Sequence, residues 1–272
     1  MVKIEVIDFE IKELGGRHRK IRIILPDDYH HNIVKRYPVL YMQDGQNLVD
    51  PSAFSGYSWD VQATLSRLQK QGDIDGLIIV GIDSDEQYRI PEYTNSIAKN
   101  AQKAVLKLNR GSLFLPEAHL YGKFLVDTLK PYIDRNYRTL SDRLNTGLAG
   151  SSCGGNVSLF LGSVHNDVFG IIGAFSPAYW LVSDDLFDRF TAKNFLEGTK
   201  IYHDMGGKEH PLPRFTYVHN SRKLKAILEK KGFGEQHHKW VVDWKATHTE
   251  LFWQSRFPDF IKWAFPFRKE DR

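Results

Sequence analysis

Cysteine is nearly missing. Cys153 is the single one among 272 residues, so no intrachain disulfide can staple the chain, and a reducing compartment is the natural setting. Long apolar runs are missing too: no stretch reaches the ~20 residues of a bilayer span, so no membrane association is expected. The opening segment, Met1 to Lys12, alternates charged and apolar residues and lacks the apolar centre of a secretory signal. These absences point to a cytoplasmic location. An excess of one charge is also lacking, since 37 Lys and Arg meet 33 Asp and Glu for a net charge of +4. The densest basic group (Arg222, Lys223, Lys225, Lys230 and Lys231, with Glu229) has the character of a solvated helix face, not a phosphate-binding stripe. No nucleic-acid partner is therefore expected. The 11 histidines show no H-E-x-x-H or similar ligand spacing, so neither a metal nor another cofactor is expected. Internal repeats, low-complexity tracts and Gly/Ser linkers are absent, and the whole chain, 1–272, reads as one domain.

Apolar residues make up 42% of the sequence, with 17 Phe, 12 Tyr and 6 Trp, which is ample for a core. Two alternating segments, Lys3 to Ile11 and Lys20 to Leu25, join through Gly15-Gly16 and read as an antiparallel pair with one wet face. Four later runs, Tyr37 to Met42, Gly76 to Ile82, Leu144 to Ala149 and Ile171 to Phe175, are short and mostly apolar, as strands covered on both faces should be. Two further strands fit at Lys200 to His203 and Lys239 to Asp243. Helical spacing runs through Ala118 to Tyr137, Gly154 to Gly162, Arg214 to Lys231 and Leu251 to Ala264. Strands alternating with helices predict an α/β fold: a mixed, mostly parallel sheet with helices on both faces. In such sheets the chemistry gathers beyond the C-terminal ends of the strands.

The strongest local signal lies there. Gly150-Ser151-Ser152-Cys153-Gly154 matches G-x-S-x-G, with a buried strand before it and a helix rich in small residues after it. This spacing builds a strained turn that lifts a serine hydroxyl above the sheet, the flanking glycines relieving the crowding. Ser152 is the candidate nucleophile. Ser151 is out of frame with the glycines, and Cys153, the other nucleophilic side chain, reads as a small buried apolar residue. The backbone N–H of Cys153, at a helix N-terminus, would donate to an oxyanion.

A serine of this kind needs a histidine base and an acid to orient it. In an α/β-hydrolase fold the three follow in the order Ser, acid, His. His248 follows the last expected strand and precedes the terminal helix, which favours it over His203, His210 and the His237-His238 pair, the last expected to be solvated. The acid lies in Asp204-Met205-Gly206-Gly207-Lys208-Glu209. Glu209 is favoured and Asp204 stays open, while Asp184 and Asp185 are more distant candidates. After the strand ending at Met42 comes Gln43-Asp44-Gly45-Gln46-Asn47, where Gln46 is the candidate second oxyanion donor and Gly45 allows close backbone approach. Arg89 and Glu92 are expected to pair at the rim. Gly45, Arg89 and Trp180 are candidate substrate contacts, and Tyr57, Trp59 and Tyr179 are further aromatics that line either a pocket or the core.

Taken in order, several segments resemble one esterase family of α/β-hydrolases, the group related to enterochelin esterases, esterase D and some feruloyl esterases. They are Val39-Leu40-Tyr41 with Asp44-Gly45-Gln46-Asn47; Arg89 with Glu92-Tyr93; Gly150 to Gly155; Phe175-Ser176-Pro177-Ala178-Tyr179-Trp180; Gly206-Gly207-Lys208-Glu209; and His248 before an aromatic helix. The resemblance spans nearly the whole chain. It implies Ser152 as nucleophile, His248 as base and Glu209 as acid, where the family commonly has Asp. It also implies hydrolysis of a small-molecule ester with a short or hydroxycinnamoyl acyl group. An acyltransferase using the same acyl-enzyme and a non-catalytic binding protein are the competing expectations.

Overall fold

A computed structural model describes residues 4–109, 111–209 and 215–267. The eight strands are β1 (Ile4–Ile11), β2 (Arg17–Ile24), β3 (Val39–Gln43), β4 (Ile78–Ile82), β5 (Thr146–Ser151), β6 (Ile171–Phe175), β7 (Lys200–Gly206) and β8 (His238–Asp243). They form one sheet in the order β1-β2-β4-β3-β5-β6-β7-β8. β1 pairs antiparallel with β2, and β2 antiparallel with β4. From β4 to β8 every pairing is parallel. Gly15 and Gly16 both take positive φ, 69° and 79°, in the turn between β1 and β2.

The helices are α1 (Val61–Gln71), α2 (Arg89–Glu92), α3 (Gln102–Leu108), α4 (Ala118–Lys123), α5 (Lys130–Asn136), α6 (Cys153–Val164), α7 (Tyr179–Ala192), α8 (Phe215–Lys230) and α9 (Glu250–Ala264). A wider helical turn, Phe124–Leu129, joins α4 to α5, so the stretch expected from Ala118 onward is nearly continuous. Side-chain alternation sorts the helices between the two faces of the sheet. Val39 and Tyr41 of β3 belong to the core on one face, together with Phe124 of the wider turn, Val157 of α6, Phe190 of α7 and Leu224 of α8. Leu40 and Met42 pack on the other face with α1 (Leu65, Leu68) and α9 (Phe257, Phe260). The central strands are buried on both sides, which is why they read as unbroken apolar runs. Among the described residues no helix is long and apolar enough to cross a membrane.

β3 carries β4 on one side and β5 on the other. The chain reverses its winding direction at β3, which opens a crevice beyond the C-terminal ends of β3 and β5. The loops after both strands meet there. The loops after β6, β7 and β8 leave the sheet at the same edge.

Candidate active site

Ser152 sits between β5 and α6 with φ 56° and ψ −122°. A side chain held there is strained, and the surroundings fix it. Ser152 N–H donates to Phe175 O at 2.9 Å, and Ser152 O accepts from Ala178 N at 3.2 Å and Asn156 N at 3.1 Å. The glycine spacing has a visible cause. A Cβ on Gly150 would lie 2.8 Å from the Gly154 carbonyl and 2.8 Å from Gln43 Cγ, and one on Gly154 would lie 2.9 Å from Gln43 Cβ. The strand, the turn and the helix start are pressed together, and side chains at 150 or 154 would force them apart. Ser151 is buried in β5.

Cys153 opens α6. Its N–H belongs to a first helical turn, where amides have no intrahelical acceptor and the helix dipole is positive. Its side chain is only 3% exposed, and burial pushes the thiol pKa up although the Arg89 guanidinium opposes the shift. Across the crevice, Gly45–Asn47 forms a one-turn helix after β3, entered through Asp44 at φ 55°. The Gln46 side chain is tied to Ser84, accepting from Ser84 N at 2.9 Å and donating to Ser84 Oγ at 2.8 Å. Gly45 serves packing: a Cβ there would come within 2.6 Å of the Gly81 backbone and 2.8 Å of Asp83 Oδ1. The close approach that glycine permits is thus to β4.

The loops after β7 and β8 are laced together. Gly207 N donates to Asp243 O at 2.7 Å, and Lys208 N to Ala246 O at 2.9 Å. A Cβ on Gly206 would lie 2.7 Å from Ala246 O, and one on Gly207 would lie 2.7 Å from Trp244 Cα. The Gly-Gly pair lets the loops touch, and the contact sets Glu209 against His248, with Nδ1 3.0 Å from Oε2. The Glu209 side chain is 1% exposed and that of His248 24%. The His248 ring stands edge-on to Trp253, with centroids 5.0 Å apart and planes at 88°.

Asp204, the other candidate acid, is fully buried and engaged elsewhere. Arg256 grips it with Nε at 2.8 Å and Nη2 at 3.1 Å, and Tyr202 OH donates at 2.7 Å. It holds the terminal helix to the sheet, while the His248 ring pairs with Glu209. His203 is also buried, 3.0 Å from Tyr179 OH and from His238 Nε2. His238 is 8% exposed, which corrects the expectation of a solvated pair: it is the first residue of β8 and turns inward onto His203. His210 lies outside the described residues. Asp185 lies on α7 and accepts from Asn95 Nδ2 at 2.6 Å.

The expected pair between Arg89 and Glu92 does not form. Arg89 reaches back to Asp44, with Nε at 2.7 Å and Nη2 at 2.8 Å, while Glu92 turns toward the β1–β2 hairpin and takes Arg17 at 2.9 Å and Arg19 at 2.5 Å. Two residues three apart on one short turn could pair with each other, but Arg89 finds its partner in the turn after β3 and Glu92 finds two in β2. Trp59 and Tyr179 are core residues at 2% and 0% exposure, Tyr57 is half exposed, and Trp180 is partly buried.

The structure brings Ser176, Arg256 and Glu250 to this edge as well. Ser176 donates to Glu209 Oε1. Glu250, 3% exposed, accepts from Ser55 Oγ and from Asn47 Nδ2 at 3.4 Å, tying the loop after β3 to the start of α9. Arg256 had a sequence signal. It occupies the helical stripe with Trp253, Phe257 and Phe260, a charge where the pattern calls for an apolar residue. Among the described residues no three His, Cys, Asp or Glu side chains converge as a metal-binding set.

The family model described as "Putative esterase" matches residues 12–264. The chain belongs to this esterase family. An uncharacterized Bacillus subtilis protein, YbbA, is 23% identical over 259 residues, 94% of this chain and 96% of its own. The Shigella flexneri enterobactin esterase superposes with a TM-score of 0.75 at 18% identity, covering 96% of this chain and 58% of its own. A ferulic acid esterase from the anaerobic fungus Anaeromyces mucronatus superposes with a TM-score of 0.67 at 23% identity, covering 96% and 90%. At these identities the two structures establish the fold, which is that of the α/β-hydrolases.

Proposed function

We propose that this family member is a serine hydrolase of carboxylic esters, with Ser152 as nucleophile, His248 as general base and Glu209 as the acid that orients it. The observation that carries the reading is the His248 Nδ1 to Glu209 Oε2 contact at 3.0 Å, at the same sheet edge as a serine held at φ 56° between strand and helix. The carboxylate fixes the imidazole so that Nε2 is the nitrogen left for the serine proton.

Chemistry then follows in two halves. Ser152 Oγ attacks the ester carbonyl as His248 Nε2 takes its proton. The tetrahedral oxyanion is met by the N–H groups of Cys153 and Gln46. His248 returns the proton to the departing alcohol, leaving an acyl-serine. Water, deprotonated by the same histidine, attacks the acyl carbon and releases the acid and free Ser152. The substrate is a soluble ester with a short or hydroxycinnamoyl acyl group, and the neighbour named for ferulic acid supports the hydroxycinnamoyl choice.

The test is hydrolysis of p-nitrophenyl esters from acetate to decanoate, with a ferulate ester, by the wild type and Ser152→Ala. Turnover lost in the variant with its circular dichroism unchanged is the expected result. Equal rates in both proteins would remove Ser152 from the chemistry.

A further inference from the structure

Ser176 is 1% exposed and adopts φ 45°, a left-handed backbone that serine rarely takes. From that backbone one residue faces two carboxylates. Its N–H donates to Asp204 Oδ1 at 2.9 Å, and its hydroxyl donates to Glu209 Oε1. The direction of the second bond is forced. The hydroxyl oxygen already accepts from Trp253 Nε1 at 3.0 Å and from Arg256 Nη2 at 3.0 Å. Indole and guanidinium groups donate only, so the single hydroxyl proton is left for Glu209.

We infer that Ser176 is the positioning residue of this site: its hydroxyl locks the Glu209 carboxylate in the orientation that receives His248, and it anchors that carboxylate to the buried Asp204–Arg256 pair. The inference rests on the serine-hydrolase reading above. Glutamate has more rotatable bonds to fix than aspartate. Here Oε1 is clamped by the Ser176 hydroxyl and by Gly206 N at 2.5 Å, which leaves Oε2 for His248 Nδ1. Arg256 touches both Ser176 Oγ and Asp204, so α9 is bolted to the acid through the serine. Ser176 acts on the reaction only through Glu209 and His248.

The test compares Ser176→Gly, Ser176→Ala, Glu209→Gln and the double variant Ser176→Gly/Glu209→Gln. Glycine relieves the left-handed strain that serine and alanine share through their Cβ, so Ser176→Gly is expected to stay folded and Ser176→Ala removes the hydroxyl with the backbone strain kept. On the p-nitrophenyl ester that wild type hydrolyses best, Ser176→Gly is expected to lower kcat roughly 10- to 100-fold with KM nearly unchanged. In the Glu209→Gln background the same change should add nothing, because its only route is already cut. Equal loss in both backgrounds would overturn the inference. A second readout is independent of turnover: the downfield proton resonance of His248 Nδ1–H should shift or broaden in Ser176→Gly and persist in Ser152→Ala. An unchanged resonance in Ser176→Gly would also overturn it. Failure of the esterase reading looks different, as turnover that survives Ser152→Ala.

Discussion

Asp44 and Arg89 close a two-pronged ion pair, with contacts of 2.7 and 2.8 Å, between the turn after β3 and the short helix after β4. The Asp44 side chain is 6% exposed, and its backbone sits at φ 55° just ahead of Gly45 and Gln46. The pair therefore holds the turn whose Gln46 N–H is the proposed second oxyanion donor. The guanidinium matches a carboxylate with two parallel bonds, which an ammonium cannot do. Arg89→Lys is expected to lower kcat about tenfold and Arg89→Ala about 10²-fold, since a misplacement near 1 Å costs that much. Steady-state kinetics on a p-nitrophenyl ester, beside a thermal melt, checks this. A melt that drops while kcat holds would make the pair structural only.

Two acids at the end of the same strand should separate cleanly on mutation. Asp204 is buried against Arg256, and removing one partner of a buried pair typically costs ~3–5 kcal/mol. Asp204→Ala should therefore lower the melting temperature by on the order of 10 °C. Glu209→Gln preserves shape and should melt close to wild type while losing most of its kcat. Melting curves and turnover measured on the two variants side by side decide it. If Asp204→Ala abolished turnover at full stability and Glu209→Gln did not, the roles would be reversed.

Local features of the site were legible in the sequence, and long-range ones were not. The glycines at 150 and 154 act on each other across four residues, so their spacing alone announces the turn. Ile171 to Phe175 coincides with β6 because a strand buried on both faces has no polar position to blur its ends. β5 begins at Thr146, two residues later than expected, since Leu144 is apolar yet half exposed in the preceding turn. α1 carries a weak signal because Val61, Leu65 and Leu68 are its only large apolar residues and stand among polar ones. Asp44 as the partner of Arg89 could not be read from separations of 45 residues, and neither could the grip of Trp253 and Arg256 on Ser176 from 77 and 80 residues away. Those contacts exist only once the segments after β3, β4, β6 and β8 share one edge.

The buried histidine pair should make stability fall on the acid side. His203 Nε2 and His238 Nε2 lie 3.0 Å apart, so one ring donates and the other accepts, and both cannot be cations. Burial pushes His238 down to about 4 and His203 well below its ordinary value. The unfolded chain binds these protons near pH 6.5 and the folded chain does not, so stability rises with pH across this window. It is fully present above about pH 7 and lost as pH falls from about 6.5 toward 4, by on the order of 3 kcal/mol for His238. Urea midpoints between pH 7.5 and 4.5 should slope downward in wild type and less steeply in His238→Gln. Parallel slopes would show that the pair takes up its protons without unfolding.

Cys153 supplies the sharpest check on which side chain reacts. It adjoins Ser152, and a thiolate would be the better nucleophile if it could form. Its side chain is buried at 3% exposure beneath the first turn of α6, and burial raises its pKa. On the proposed mechanism a thiol so placed is not the nucleophile, and the residue serves through its backbone N–H. Native protein should react slowly with a disulfide reagent and release one equivalent of colour only after denaturation. Cys153→Ala should keep kcat within about threefold, because the backbone N–H proposed to meet the oxyanion is unchanged, and should lose about 1 kcal/mol of stability with the buried sulfur. Ser152→Ala should do the reverse, holding stability while ending turnover. A folded Cys153→Ala protein without activity, beside an active Ser152→Ala, would move the nucleophile to the thiol and overturn the serine assignment.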